Sequence, residues 1–237
     1  MNEVFYLLSG NIDPSRDTDN IHLDMLKSTN KENPSVVLFL TGSDGVDWHG
    51  NYRNNLTTIF SRYSCQLTFV ENPDDPEIPK YLENADIIYF MGGSPYKHTR
   101  LNRYRDDMRK VKVKAGTSAG AIYMGYHTFY LTKDDYILAI PEMLGWVDLH
   151  VLPHSETHKE ELVCNYLANE AGISFLKLFN QTALKIECND SLETVTTLMG
   201  NSPGIEEKIE LQLKNRMLWK INASQEIKSP LKLINNP

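Results

Sequence analysis

Near the middle of the chain, Gly116-Thr117-Ser118-Ala119-Gly120 sets a serine between two glycines at the spacing Gly-x-Ser-x-Gly. Val111-Lys112-Val113-Lys114-Ala115 before it reads as a short β-branched strand, and Ala121-Ile122-Tyr123-Met124 after it can begin a helix. A strand that runs through this motif into a helix is the setting of a nucleophile elbow. The turn forces its central residue into a strained backbone conformation, and side chains at the flanking positions would collide with adjacent elements, so Gly116 and Gly120 suit it. Such a turn lifts the Ser118 hydroxyl above the sheet, while the helix start behind it offers free N–H groups to developing negative charge. A plain glycine-bounded turn with a capping serine shares the bare motif. The strand before it, the small residues after it and a base downstream favour acyl-transfer chemistry.

A serine is a weak nucleophile until a base accepts its proton, and that base is usually histidine. Among the seven histidines, His154 lies just past the apolar stretch of Leu149-His150-Val151-Leu152-Pro153 and behind a proline that stiffens the loop, a placement suited to the end of a strand. His22 and His49 fall in early, surface-like segments, His98 falls near a helix start, and His127, His150 and His158 remain competitors. An acyl-transfer oxyanion also needs converging N–H donors, each worth roughly 3 kcal/mol. Met91-Gly92-Gly93-Ser94 follows the apolar run Ile87 to Phe90, and its bare backbone can approach a substrate closely. The N–H groups of Gly92 and Gly93, with that of Ala119 after the nucleophile, form the candidate oxyanion hole.

The elements that must position these groups are legible in outline. Val4 to Leu8, Val36 to Leu40 and Ile87 to Met91 are nearly continuous apolar runs that end in Gly, Ser or Thr, as strands buried on both faces do. Asp19 to Ser28 and Asn51 to Tyr63 between them have helical apolar spacing, so the first half reads as βαβα with a parallel sheet. Residues 79–86, Arg100 to Lys110 and Lys159 to Ala171 read as further helices, the second of them strongly charged. Residues 192–199, 209–213 and 217–221 read as strands that add an antiparallel edge, and the polar tail from Ser224 reads as peripheral.

At 237 residues the chain can bury one sizeable core, and a single α/β domain is expected. A net charge of −7 with no Lys/Arg run argues against nucleic acid as a partner. Three widely spaced cysteines, Cys65, Cys164 and Cys188, suggest neither a disulfide framework nor a zinc site, and a reducing compartment fits them. The N-terminus lacks the marks of a secretory signal, and no apolar run nears the roughly 20 residues that cross a bilayer. The expectation is a cytoplasmic protein, off the membrane, acting as a monomer or homodimer on a small peptide, with no cofactor and no metal.

Residues 87–93, the run Gly116-Thr117-Ser118-Ala119-Gly120-Ala121 and Leu152-Pro153-His154 together resemble the dipeptidase E (alpha-aspartyl dipeptidase) and cyanophycinase family of serine peptidases. The resemblance runs from the first strand to about residue 195. It implies the class I glutamine-amidotransferase-like fold, a flavodoxin-like three-layer α/β sandwich. It also implies Ser118 as nucleophile, His154 as general base and Gly92, Gly93 and Ala119 as the oxyanion hole. Ser94-Pro95 departs from the Asn or Asp followed by Gln or Thr usual in the family after the paired glycines, which bears on substrate contacts at Ser94.

The family's third catalytic member is a carboxylate in a segment like residues 183–192; here Cys188 holds the usual place of the acid and Glu187 lies one position early. Glu187 is the favoured acid, with Asp134 or Asp135 after the elbow helix as alternatives. A one-residue shift on a strand reverses the side chain, so this choice decides whether the acid can hold the imidazole. For the carboxylate of an aspartyl substrate, Lys159, His158, Arg100 and Arg103 are the nearby cations. The expected activity is hydrolysis of short peptides, aspartyl-X dipeptides among them, through an acyl-enzyme on Ser118. A non-catalytic relative that binds or regulates is the alternative, and a glutaminase ranks below both because that chemistry normally places cysteine at the elbow.

Overall fold

The apolar runs do pair side by side. In the computed structural model, which describes residues 3–10, 18–43, 46–125, 128–131, 137–140, 143–147, 150–154, 175–178, 180–188, 194–200, 209–211, 219–221 and 227–229, strands β1 (Glu3–Leu8), β2 (Ser35–Phe39), β3 (Gln66–Val70), β4 (Ile87–Phe90) and β5 (Val113–Thr117) form a parallel block in the order β1-β5-β4-β2-β3. Their side chains alternate between two cores. Phe5, Leu7, Val37, Phe39, Ile88 and Phe90 face one, and Val4, Tyr6, Leu8, Val36, Leu38 and Tyr89 face the other. A strand buried on both faces has no polar positions to alternate with, which is why these segments read as continuous apolar runs.

Helices α1 (Asp19–Lys27) and α2 (Val46–Phe60) cover the second face through Ile21, Met25, Leu56 and Phe60. Helix α3 (Ile78–Glu83), short α4 (Pro95–His98), a 3₁₀ turn (Thr99–Tyr104), α5 (Arg105–Lys110) and α6 (Ala119–Met124) lie toward the first, with Ile78, Leu82, Leu101, Met108 and Tyr123 packed inward. The segment read as one charged helix from Arg100 to Lys110 is thus a 3₁₀ turn followed by α5.

Two two-stranded pairs follow α6: antiparallel β6 (Thr128–Leu131) with β7 (Ile137–Ile140), and parallel β8 (His150–Leu152) with β9 (Phe175–Lys177). Then β10 (Thr182–Cys188) pairs antiparallel with β1, and β11 (Thr194–Gly200) pairs antiparallel with β10. The expected antiparallel edge exists, but its members differ from the sequence reading. Among the described residues, strands β12 (Ile209–Leu211) and β13 (Trp219–Ile221) pair only with each other. The outermost strand of the eight-stranded sheet is β14 (Ile227–Ser229), inside the polar tail.

Strand β3 was not legible at all. Gln66-Leu67-Thr68-Phe69-Val70 is the far edge strand and is half exposed along most of its length, so it lacks the apolar run of its neighbours. The helix read over Lys159 to Ala171 lies outside the described residues. No described helix is long and apolar enough to cross a membrane.

Candidate active site

The C-terminal ends of the parallel strands converge on one rim, and β5 delivers Ser118 there. Ser118 has φ 51° and ψ −113°, a conformation in which a residue with a side chain is strained. It is held by the bond from its N–H to Leu8 O (2.9 Å) and by its own carbonyl, which accepts from Ile122 N–H (3.1 Å) in the first turn of α6. The flanking glycines are required by contact. A Cβ at Gly116 would lie 2.4 Å from the Gly120 backbone, and one at Gly120 would lie 2.1 Å from Phe90 O. Strand β4, the elbow and α6 therefore pack backbone to backbone, and Ser118 is half-buried where the residues on either side of it are fully buried.

His154 meets it. The Ser118 hydroxyl lies 3.0 Å from His154 Nε2. On the other side of the ring, Nδ1 is 2.6 Å from Asn180 Oδ1. A carbonyl oxygen only accepts, so Nδ1 carries the proton and Nε2 presents its lone pair to Ser118, the state a general base requires. The loop is stitched to the end of β1. His154 N–H donates to Ser9 Oγ (2.8 Å), Ser9 donates to Leu178 O (2.9 Å), and Gln181 N–H donates to Gly10 O (3.1 Å). His154 and Gln181 both adopt positive φ, at 55° and 61°, so the segments that carry the ring and its partner are tightly turned.

Glu187 is elsewhere, which corrects the expected third member. It pairs across from Val4 on β10, whereas Ala183, near the start of that strand, pairs with Leu8 at the rim that carries Ser118. Four residues of extended chain separate these positions by about 13 Å. Its carboxylate lies 3.2 Å from Lys185 Nζ, at the opposite end of the strand from His154. Because β10 runs antiparallel to β1, its first residues approach the rim and its last ones leave it, so the partner comes from Asn180, just before the strand. Cys188 is buried still farther along β10. Asp134 and Asp135 lie outside the described residues, as do Lys159 and His158.

The backbone beyond β4 borders the serine. A Cβ at Gly92 would lie 3.5 Å from Ser118 Cβ and 3.0 Å from Tyr52 Oη. Gly93 has φ +123°, and a Cβ there would lie 2.1 Å from Gly42 O, so no other residue fits this turn. Among the described residues, the N–H groups of Gly92, Gly93 and Ala119 make no backbone–backbone bond, whereas that of Ser94 donates to Gly42 O at 2.6 Å. Ser94, half-buried, precedes α4 one residue beyond the glycine pair.

Several groups singled out by sequence have other tasks. Arg100 and Arg103 both engage exposed Asp74, Arg103 at 2.6 Å. His22 is buried against Phe60 and Tyr89, with Nδ1 donating to Thr18 O at 2.8 Å. Sequence reasoning missed Ser9, Gly10, Tyr52 and Asn180; the only local signal was that Ser9-Gly10 ends an apolar run. Tyr52 has its hydroxyl held in the protonated form by burial, which raises its pKa.

The model of peptidase family S51 matches residues 5–195. No curated protein matches the chain. Solved structures share the fold, among them two peptidase structures. A peptidase from an acI-B1 Actinobacterium superposes with a TM-score of 0.73 at 17% identity, over 97% of this chain and 98% of the other. A protein assigned as a peptidase E from Listeria monocytogenes EGD-e gives a TM-score of 0.63 at 18% identity, over 85% and 100%.

Proposed function

The chain belongs to peptidase family S51, and from that premise we propose that it hydrolyses short peptides through an acyl-enzyme on Ser118, with His154 as the base. The observation that carries the reading is the 3.0 Å approach of His154 Nε2 to the hydroxyl of a serine strained at φ 51° on a glycine-flanked elbow. Ser118 Oγ attacks the scissile carbonyl carbon while His154 Nε2 takes its proton. The carbonyl oxygen becomes an oxyanion received by the N–H groups of Gly92, Gly93 and Ala119. Collapse breaks the C–N bond, and His154 returns the proton to the departing amine. Water, deprotonated by the same nitrogen, then cleaves the Ser118 ester and regenerates the hydroxyl. Asn180 holds the imidazole in the tautomer this cycle starts from.

Aspartyl-X dipeptides are the first substrates to assay, on the family resemblance. Ser94, next to the paired glycines, and Lys159 are the candidate substrate contacts. A fluorophosphonate should label the wild-type protein at Ser118, and Ser118→Ala should take no label and hydrolyse no peptide.

One observation favours a second reading, a family member that binds without cleaving. The neutral amide of Asn180 supplies no negative charge to stabilise an imidazolium, as a carboxylate would. Absence of labelling between pH 6 and 9 would select that reading.

A further inference from the structure

His98 is fully buried and bonded at both ring nitrogens. Nε2 lies 2.7 Å from Met91 O, and Nδ1 lies 2.9 Å from Thr41 Oγ1. A carbonyl oxygen cannot donate, so the proton is on Nε2, and Nδ1 accepts from the Thr41 hydroxyl. Tyr123 stacks on the ring at 5.3 Å between centroids, and Phe90 meets it edge-on at 5.9 Å. A ring fixed on two faces and at two nitrogens has one orientation.

That orientation bears on the nucleophile's neighbour. Met91 C=O and Gly92 N–H belong to one trans peptide and point in opposite directions. With Met91 O secured on His98, Gly92 N–H is turned away from the buried ring, in the residue that borders Ser118. The bond to His98 also polarises that peptide and makes its N–H a stronger donor. Gly42 locks the assembly from the side: a Cβ there would lie 2.6 Å from His98 Nε2 and 2.7 Å from Gly92 O. Its carbonyl receives Ser94 N–H at 2.6 Å.

We propose that His98 is a positioning residue of the oxyanion hole: by holding the Met91 carbonyl it sets the direction of the Gly92 N–H that receives the oxyanion. The role rests on the serine-hydrolase reading above. It goes beyond that reading in assigning a catalytic consequence to a histidine that touches neither Ser118 nor His154 by any bond described.

The test uses two amide substitutions that differ by one methylene and therefore in reach, with Tm reporting their different packing cost. In His98→Gln the side-chain amide can occupy the Nε2 position and donate to Met91 O. In His98→Asn it reaches only the Nδ1 position and Thr41. Fluorophosphonate labelling is the readout, since its adduct carries a phosphoryl oxygen into the same hole, with Tm measured in parallel. His98→Asn should label on the order of 10²-fold more slowly, and His98→Gln within about 5-fold of wild type, each assayed well below its own Tm so that both are folded. ¹⁵N spectra of the wild-type imidazole should show the proton on Nε2. Equal labelling rates for the two variants, or a proton on Nδ1, would overturn the role of His98 while leaving the hydrolase reading intact. A wild-type protein that takes no label at Ser118 would sink the hydrolase reading, and the role of His98 with it.

Discussion

The imidazole of His154 occupies the space that a side chain at residue 10 would need. A Cβ at Gly10 would lie 2.1 Å from His154 Cε1 and 2.7 Å from Nε2. Gly10 ends the β1 segment, and its own backbone conformation is open to any residue. The reason for glycine is therefore the ring packed on it, 144 positions later in the chain.

Gly10→Ala should displace the ring without unfolding the protein. Misplacement of a reacting group by about 1 Å costs on the order of 10²-fold in rate. We expect that loss in kcat for peptide hydrolysis, with Tm shifted by only a few degrees. A variant of wild-type activity would mean that the ring does not act from the position described.

Asn180 and Glu187 should separate cleanly. Asn180→Ala frees the imidazole to rotate and to change tautomer, and kcat should fall by between about 10-fold and 10³-fold. Asn180→Asp places a negative charge beside Nδ1 and stabilises the imidazolium, so the acid limb of the kcat/KM profile should move to higher pH by about one unit or more. Glu187→Gln, at the far end of β10, should leave kcat within about 2-fold, because its half-exposed carboxylate pairs with Lys185 and not with His154. A large loss in Glu187→Gln with none in Asn180→Ala would reverse the assignment.

Gly120→Ala tests the elbow itself. Its new methyl group would meet Phe90 O at 2.1 Å, and the obstruction is backbone, which cannot swing aside. Destabilisation of roughly 1–3 kcal/mol is expected from such overpacking, read as a lowered urea midpoint, together with loss of labelling at Ser118.

Stability should fall in mild acid because two histidines are buried neutral. Desolvation lowers the pKa of both His22 and His98 to about 4, against the ordinary 6.5 of an unfolded chain. Between pH 6.5 and 4 the unfolded state therefore binds more protons than the folded one, so stability rises with pH through this window and is lost on descending it. Each histidine contributes a slope approaching about 1.4 kcal/mol per pH unit. Urea unfolding from pH 7 to 4.5 should show it, and His22→Gln should reduce the slope by about one proton. An unchanged slope would mean that His22 titrates alike in both states.

Taken by itself, the sequence determined whatever depends on neighbours a few residues away. Val113 to Thr117, Gly120 and the small residues after them encode the tight strand-to-helix turn at Ser118, since the strain there and the close approach of α6 are local steric facts. The glycine pair at 92 and 93 and the continuous apolar strands were legible for the same reason. Only the tertiary structure decided which side chain meets the outer face of His154, why residue 10 is glycine and what His98 holds. Those contacts join residues from different loops, and they exist only once β10 lies antiparallel on β1 in one register. Reading Glu187 as the acid put it beside His154, whereas it lies toward the end of β10 that points away from that ring. Strand direction and register follow from how the whole sheet packs, and no short stretch of sequence carries that information.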